Sequence, residues 1–354
     1  MGGDRITPDE LSVDPAYPLP KRSEWGIGMV GFGGIARGAH APAYKRAGWT
    51  IAAVADPSES ARKVAREHFG VERVYSNYRD LIADPSVEIV DLLTQPSVRG
   101  EVVLAAAKAG KHVITEKPLT QDPEEGESMV ETARKAGITF AVHQNYRWMP
   151  MNWLARQVVQ KGTIGEPFFA GIQLFGSQDR DLKGHHFYSV CDNFLTVQWN
   201  NHLADLLRYW TGRDARRVFT RTGRSRGQNF VSDNLLTSLH DFGGGLTGTI
   251  LHSELVRSDM TGVECRIDGD KGSLVFDFFT RMRISCDATG KGVREVDFSG
   301  VQFGDSFVGS MADFLCAVEE KREPMVSARK NLATVRTFLA EHESARRGGE
   351  WVDV

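Results

Sequence analysis

The sequence predicts two architectures in succession. The first is an α/β unit, a doubly wound parallel sheet. The second is an α+β unit with an open, mostly antiparallel sheet. Three observations predict them. Apolar strands and helical patterns alternate from Trp25 to Val142. Strand-like runs joined by short glycine-rich turns then fill most of residues 217–285. The length, 354 residues, also exceeds one ordinary core of about 100–200 residues.

Taken in order, residues 1–22 carry four prolines among charged residues and read as an exposed tail. Trp25–Gly31 is an apolar run ending in glycines, a buried strand entering a turn. Thr50–Ala55 is the second strand. Ser58–Phe69 places Ala61, Val64, Ala65 and His68 on one helical face, with Ser58 as N-cap and Gly70 as stop. Val74–Tyr75 and Glu88–Thr94 are strands, and Arg99–Ala109 is a helix stopped by Gly110. His112–Thr115 is a strand, Pro123–Ala136 a helix and Ile138–Val142 a strand. Regular βαβ succession means parallel strands with right-handed crossovers.

The grammar changes near Met149. Asn152–Gln160 reads as a helix and Phe168–Phe175 as a strand. A polar, irregular stretch follows to about Asn193, and Trp199–Trp210 is a helix ending at Gly212. Six strand-like runs come next: Arg217–Arg221, Asn234–Phe242, Leu246–Leu255, Glu264–Asp268, Ser273–Asp277 and Arg281–Ser285. Their short turns favour antiparallel pairing. Helices at Phe307–Glu320 and Ala328–Arg346 close the chain. The expected division is a tail at 1–22, a nucleotide-binding domain at 23–148 and a sheet domain at 149–354.

Gly31-Phe32-Gly33-Gly34-Ile35-Ala36 fits G-x-G-x-x-G/A directly after a strand and at the opening of a helix. In that setting Gly31 permits the tight turn and Gly33 lets the backbone approach a pyrophosphate. Ala36 keeps the helix close to the strand, and helix N–H groups face the phosphates. Asp56 ends the second strand. A carboxylate there accepts both ribose hydroxyls of adenosine and repels a 2′-phosphate. Pro57 and Ser58 follow it, with no arginine directly after, so NAD is expected over NADP. Thr94, Gln95 and Pro96 close the fourth strand and are expected beside the cofactor's central ribose and pyrophosphate.

The run from His112 to Pro118 (HVITEKP) carries Glu116-Lys117-Pro118 at the end of the next strand. Together with Gly31–Ala36 it resembles the glucose–fructose oxidoreductase/inositol dehydrogenase/rhizopine catabolism (Gfo/Idh/MocA) family, from Trp25 to the C-terminus. Gln144-Asn145-Tyr146-Arg147-Trp148 is similar to that family's N-x-R-F segment. The resemblance implies that Lys117 faces the nicotinamide ribose and the substrate, with Pro118 after a cis bond. Glu116 and Asn145 would then belong to the cofactor site and Arg147 to the substrate site. The residues alone agree on Lys117. Strand C-termini of an open parallel sheet face the ligand crevice. An amine partly desolvated beside a nicotinamide cation loses proton affinity, which suits it to proton transfer.

The family's D-x-x-x-H helix start is matched by Gln198-Trp199-Asn200-Asn201-His202, with Asp205 one turn later. Gln198 replaces the aspartate, and Asp192-Asn193-Phe194 replaces the usual glycines. Glutamine orients a hydroxyl but exchanges no proton, so proton transfer is expected to rest on His202 and Lys117. His186, Asp192 and Asn201 are further candidates for substrate contact. The polar character of 179–201 suits a substrate with several hydroxyls. The resemblance implies NAD-dependent oxidation of a sugar or polyol, preferably an aldose, such as a pentose, at C1 to a lactone. An inositol-like ring alcohol and a keto-sugar are alternatives, the latter by reduction. A non-catalytic NAD-binding sensor is the alternative of another class.

Other signals exclude partners. The net charge of −3 argues against a nucleic-acid binder, and the arginines of 213–226 read as a solvated edge. No run of 18 apolar residues exists to span a membrane. His185 and His186 with Asp179, Asp181 and Asp192 match no zinc spacing, so no metal is expected. Four scattered cysteines and the absence of an apolar signal core suit the cytoplasm. Leu235, Leu239, Ile250 and Leu255 supply more apolar surface than one sheet face needs. The resemblance implies that the open face pairs with another copy, giving a homodimer or homotetramer.

Overall fold

The computed structural model describes residues 5–184, 190–290, 292–302 and 304–354. The chain enters at β1 (Arg5–Ile6), and Ile6, Leu11 and Val13 are buried. Residues 5–13 are therefore not the exposed tail expected of them. Three apolar side chains spaced among charges and prolines are enough to anchor the segment. Farther along, Arg22 grips both oxygens of Glu88 at 2.9 and 2.6 Å.

Six strands make the parallel sheet: β2 (Ile27–Val30), β3 (Ile51–Ala55), β4 (Arg73–Tyr75), β5 (Ile89–Leu92), β6 (His112–Thr115) and β7 (Phe140–Val142). Their order is β4-β3-β2-β5-β6-β7, and every neighbouring pair is parallel. The chain winds outward from β2 to β4 and then crosses back to β5. The switch point, where such sheets bind ligands, therefore lies between β2 and β5. Helix ends follow local chemistry. Ser58 accepts from the Ala61 N–H to start Glu59–Phe69, and Gly70 ends it in the left-handed region. Asp122 and Pro123 start the next long helix, Pro123–Ala136, which Gly137 ends in the same way. A helix at Tyr78–Ala83, capped by Asn77, was not foreseen from the pattern.

This unit comprises Tyr17–Trp148 and also Gly304–Leu332. The helix Ser306–Glu320 thus packs with the parallel sheet, although residues 149–354 were expected to form the other domain. The reason is specific. Gly309 lies so close to Trp148 that a Cβ would come within 2.5 Å of the indole. The Met325 N–H and Arg322 bond Asp313 at 2.7 and 3.0 Å, and the Val142 N–H donates to Val326 O at 3.0 Å.

The second unit is built on a ten-stranded sheet. Its remaining strands are β8 (Pro167–Phe175), β9 (Arg217–Gly223), β10 (Leu235–Asp241), β11 (Thr247–Ser253), β12 (Gly262–Gly269), β13 (Gly272–Phe276), β14 (Met282–Cys286), β15 (Arg294–Val296) and β16 (Trp351–Asp353). The order is β1-β15-β14-β13-β12-β8-β11-β10-β9-β16. Among the described residues, only β8–β11 and β1–β15 pair in parallel in this sheet. On one face lies the helix Asn200–Thr211, and glycine at 248 makes room for Leu207 and Phe242. On the other face Phe175, Leu235 and Leu239 remain more than a third exposed. Ile250, expected among them, is buried instead, because strand periodicity turns it to the helix side. Among the described residues no helix is long and apolar enough to cross a membrane.

Candidate functional site

The nucleotide end of the parallel sheet is shaped by glycine. Gly31 has φ +90°, and a Cβ there would press on Leu93 O at 3.0 Å and Thr94 Cγ2 at 3.2 Å. At Gly33 and Gly34 the opposite holds, since a Cβ would meet nothing within 4 Å. These two exposed backbone positions leave the approach to the helix start open. Ile35 is also exposed, whereas Ala36 is fully buried, as close strand–helix packing requires. The helix then makes a wide turn in which the Ala41 N–H reaches Ala36 O, five residues back. His40 ends that turn and is buried, on the same helix face as Tyr44.

Asp56 is held by two backbone donors, Phe32 N–H to Oδ2 at 2.7 Å and Ser58 N–H to Oδ1 at 2.8 Å. Each oxygen keeps a lone pair for a ribose hydroxyl. The Phe32 ring itself is core, edge-on to Phe69 at 5.3 Å. Arg62 comes beside Asp56 from one turn along the next helix. Its Nη1 is spent on the Asp56 and Pro57 carbonyls at 2.7 and 2.8 Å. The Thr94 hydroxyl, just beyond β5, is buried without a hydrogen-bond partner. Gln95 is exposed beside it, and Pro96 opens a short helical turn. The open glycine cradle, the fixed carboxylate and the orphan hydroxyl fit a dinucleotide.

Glu116 and Lys117 follow β6, and the Lys117–Pro118 peptide is cis. Arg99, 2% exposed, donates to Thr94 O at 2.7 Å and to the Pro118 carbonyl, stitching the ends of β5 and β6 together. Burial pulls its guanidinium down to about 10, against Glu116 and Glu125. Lys117 is half-buried. Burial lowers its amine, Glu116 raises it and Arg99 lowers it again, so its proton affinity falls below that of an ordinary lysine.

Behind Glu116 lies a cluster that sequence reasoning missed. His40 Nε2 is 2.8 Å from Glu116 Oε1, and His40 Nδ1 is 3.1 Å from the Tyr44 hydroxyl and 3.5 Å from Asp91 Oδ2. Tyr44 donates to Asp91 Oδ2 at 2.7 Å. His143 joins Asp91 Oδ1 at 3.1 Å and Ser310 Oγ at 3.0 Å. Burial alone would raise both carboxyls. The His40 hydrogen bond and charge, with Lys117, instead bring Glu116 down to about 2, and the two histidines hold Asp91 well below the carboxylate range. Burial works against a charged His40, yet the two acids lift it to about 9. His143 is pushed down, chiefly by burial. His40, Asp91 and His143 bring one ligand atom each within 4.8 Å of one another. Hydrogen bonds already account for each of those atoms. One signal could have exposed the cluster: Asp91 interrupts the apolar run of β5 and is fully buried there.

Asn145 and Arg147 are buried in the same unit. The Asn145 amide donates to Ser306 Oγ at 3.2 Å, and Arg147 Nη1 donates to Met325 O at 3.0 Å. These bonds brace the C-terminal segment, so that arm of Arg147 is not available to a substrate.

In the second unit the helix begins at Asn200 after another wide turn, Phe194–Trp199, in which the Asn200 N–H reaches Leu195 O. Gln198 is half-buried. His202 is 5% exposed, with its ring edge-on to Trp199 at 6.0 Å. Asn201 is fully buried, and its amide nitrogen donates to the Val197 and Gln198 carbonyls, both at 2.8 Å, bracing the wide turn. Its Oδ1 is buried without a hydrogen-bond partner. Asp192 is exposed and lines a pocket of about 330 Å³ with Thr196, Arg224, Asp233, His342 and Arg346. Asp179, in the polar stretch expected to suit a hydroxylated substrate, is fully buried. It accepts from the Asn229 and Phe230 N–H groups at 2.9 and 2.8 Å and from Arg257 at 2.7 Å. His185 and His186 lie outside the described residues.

Comparison with known proteins agrees with this geometry. Residues 25–144 match the model of an oxidoreductase family with an NAD-binding Rossmann fold, and residues 153–275 match the Gfo/Idh/MocA C-terminal domain. The myo-inositol 2-dehydrogenase of Thermotoga maritima is 28% identical over 310 residues, 85% of this chain and 90% of that protein. The D-apiose dehydrogenase of Paraburkholderia graminis is 25% identical over 313 residues, 85% and 82% of the two chains. A solved oxidoreductase from Agrobacterium radiobacter, in complex with NAD+, L-tartaric acid and magnesium, superposes with a TM-score of 0.84. It is 24% identical, and the match covers 93% of this chain and 98% of that one. With both of its domain models matched in sequence order, the chain belongs to the Gfo/Idh/MocA family of NAD-binding oxidoreductases.

Proposed function

We propose that the protein oxidises a sugar or polyol, with Lys117 taking the proton of the reacting hydroxyl. One observation carries the reading. A half-buried lysine of lowered proton affinity follows β6, in the same unit as the glycine cradle and the fixed Asp56. Bound NAD supplies the hydride acceptor. On this reading Gly31–Ala36 and Asp56 bind the dinucleotide, Thr94 offers its hydroxyl, and Glu116 orients the lysine. The relatives' names support the substrate class, since they are dehydrogenases of apiose and inositol. An aldose, preferably a pentose, oxidised at C1 to a lactone is the preferred substrate. A ring secondary alcohol or a keto-sugar is the alternative.

His202, assigned a proton relay by the family resemblance, is proposed as the second proton-handling group, with Gln198 orienting a hydroxyl. The exposed apolar side chains Phe175, Leu235 and Leu239 support a homo-oligomer formed through that sheet face. The replacement of the family aspartate by Gln198 favours one rival reading, a sensor that binds NAD without turning over. Following NADH absorbance across aldoses and polyols decides between them. Lys117→Ala should lower kcat about 1,000-fold while NAD affinity stays within about threefold. Undiminished turnover in that variant would remove the lysine from the mechanism. NAD binding with no turnover on any sugar would favour the sensor.

A further inference from the structure

The cluster behind Glu116 has a proton inventory that can be closed from its distances. The Tyr44 hydroxyl has one proton, committed to Asp91 Oδ2 at 2.7 Å. At 3.1 Å from His40 Nδ1, the same oxygen can then only accept, so Nδ1 carries a proton. His40 Nε2 faces a Glu116 oxygen at 2.8 Å, and a carboxylate can only accept, so Nε2 carries a proton too. His143 needs just one. Its Nε2–H donates to Asp91 Oδ1, and its Nδ1 accepts from Ser310. The arrangement is satisfied by one imidazolium between two carboxylates, with His143 and Tyr44 neutral.

We infer that His40 is a positioning residue, an imidazolium clamped between Asp91 and Glu116 that holds Glu116 as a carboxylate against Lys117. The contact to Lys117 is direct, since its backbone N–H donates to the second Glu116 oxygen, Oε2, at 3.1 Å. The clamp is immobile by construction. His40 is fully buried, Phe307 from the C-terminal helix packs on its ring at 4.8 Å, and His143 packs on it at 4.6 Å. It shares its inward helix face with Tyr44, four residues on. The charged and titratable groups facing it are Asp91, Glu116, Tyr44 and His143. Those facing Lys117 include Glu116 and Arg99.

This inference rests on the reading of Lys117 as the proton-handling group, and it has a sign. Without His40, buried Glu116 loses its cation and its donor, and its carboxyl rises toward the neutral form. Lys117 then loses the anion that favours its charged form, while Arg99 remains. The amine should release its proton more easily, and the rising limb of the pH profile for oxidation should move to lower pH.

Two measurements test it. The first, 15N spectra of histidine-labelled protein, needs neither substrate nor turnover. One histidine should remain an imidazolium at pH 8 and disappear from the spectrum of His40→Asn. The second compares kcat/KM against pH in His40→Asn, Glu116→Gln and the double variant. Each single variant should move the limb down by roughly one unit, with no further movement in the double. The inference is overturned by a neutral His40 at pH 8. Loss of thermal stability in a folded His40→Asn with an unmoved limb also overturns it. So does a stoichiometric divalent metal in the purified protein that Asp91→Asn removes. If Lys117→Ala stays active while the imidazolium is present, the reading of Lys117 fails and the clamp stands as a structural device. Should His40→Asn not fold, the wild-type spectra still decide the charge on His40.

Discussion

The helix starts of the two units invite comparison. After the glycine turn, a wide turn ends at Ala41; ahead of the helix Asn200–Thr211, another ends at Asn200. Both carry one residue more than a regular turn and both stand beside proposed chemistry. Their surroundings differ. The first turn ends at His40, between two carboxylates, in a cluster held by charge. The second is closed by a neutral amide, Asn201 on the Val197 and Gln198 carbonyls, while His202 rests edge-on against Trp199. Glu116 and Asp91 stand together behind Lys117, whereas the carboxylates of the second unit, Glu341 on Asn200 and Glu254 on His252, are each spent on separate partners. The difference teaches that the same wide turn can end in a connected charge cluster or in a local amide brace.

That contrast can be broken from the second unit. His202→Asn should lower kcat roughly 10- to 100-fold, less than Lys117→Ala, and Gln198→Ala should cost less than His202→Asn and act mainly on KM. Stopped-flow and steady-state NADH assays would show it. A loss at His202 exceeding that at Lys117 would reverse the comparison. Within the parallel unit, Asp56→Asn should reduce the preference for NAD over NADP by about tenfold or more, because a charged acceptor of two ribose hydroxyls is lost. Equal kcat/KM for both cofactors in the unaltered protein would deny Asp56 that role. The smallest effect on catalysis is expected at the exposed sheet face. Leu239→Asp should convert an oligomer to a smaller species, read by light scattering, with kcat/KM within about twofold. An unchanged mass in the variant would move the interface elsewhere.

What was legible in the sequence was local. Ser58 with Gly70, Asp122 with Pro123 and Gly137, and the glycines of the first turn each act within a few residues, and each marks its element's end in the structure. The candidate site was legible to the same extent, in Gly31–Ala36, Asp56 and Lys117. What escaped was assembled from distant positions. The charged cluster draws His40, Asp91, Glu116, His143 and Ser310 from separate segments. The burial of Asp179 escaped as well, because its partners at Asn229, Phe230 and Arg257 come from far along the chain. Strand β1 escaped for the same reason, because its partner β15 lies nearly at the other end.

The wide turn at Ala36–His40 also bears on how such a sequence tolerates length changes. A single-residue deletion inside a regular helix rotates everything beyond it by about 100° and usually ruins the buried face. Here the turn holds a surplus residue, so deleting Arg37 or Gly38 would leave a regular helix and preserve the packing of Tyr44 from Ala41 onward. His40 would stay inward with Tyr44, because the two share a helix face four residues apart, and the part displaced would be the glycine fingerprint before the turn. The surplus residue is thus a spacer between the fingerprint and the buried charge cluster.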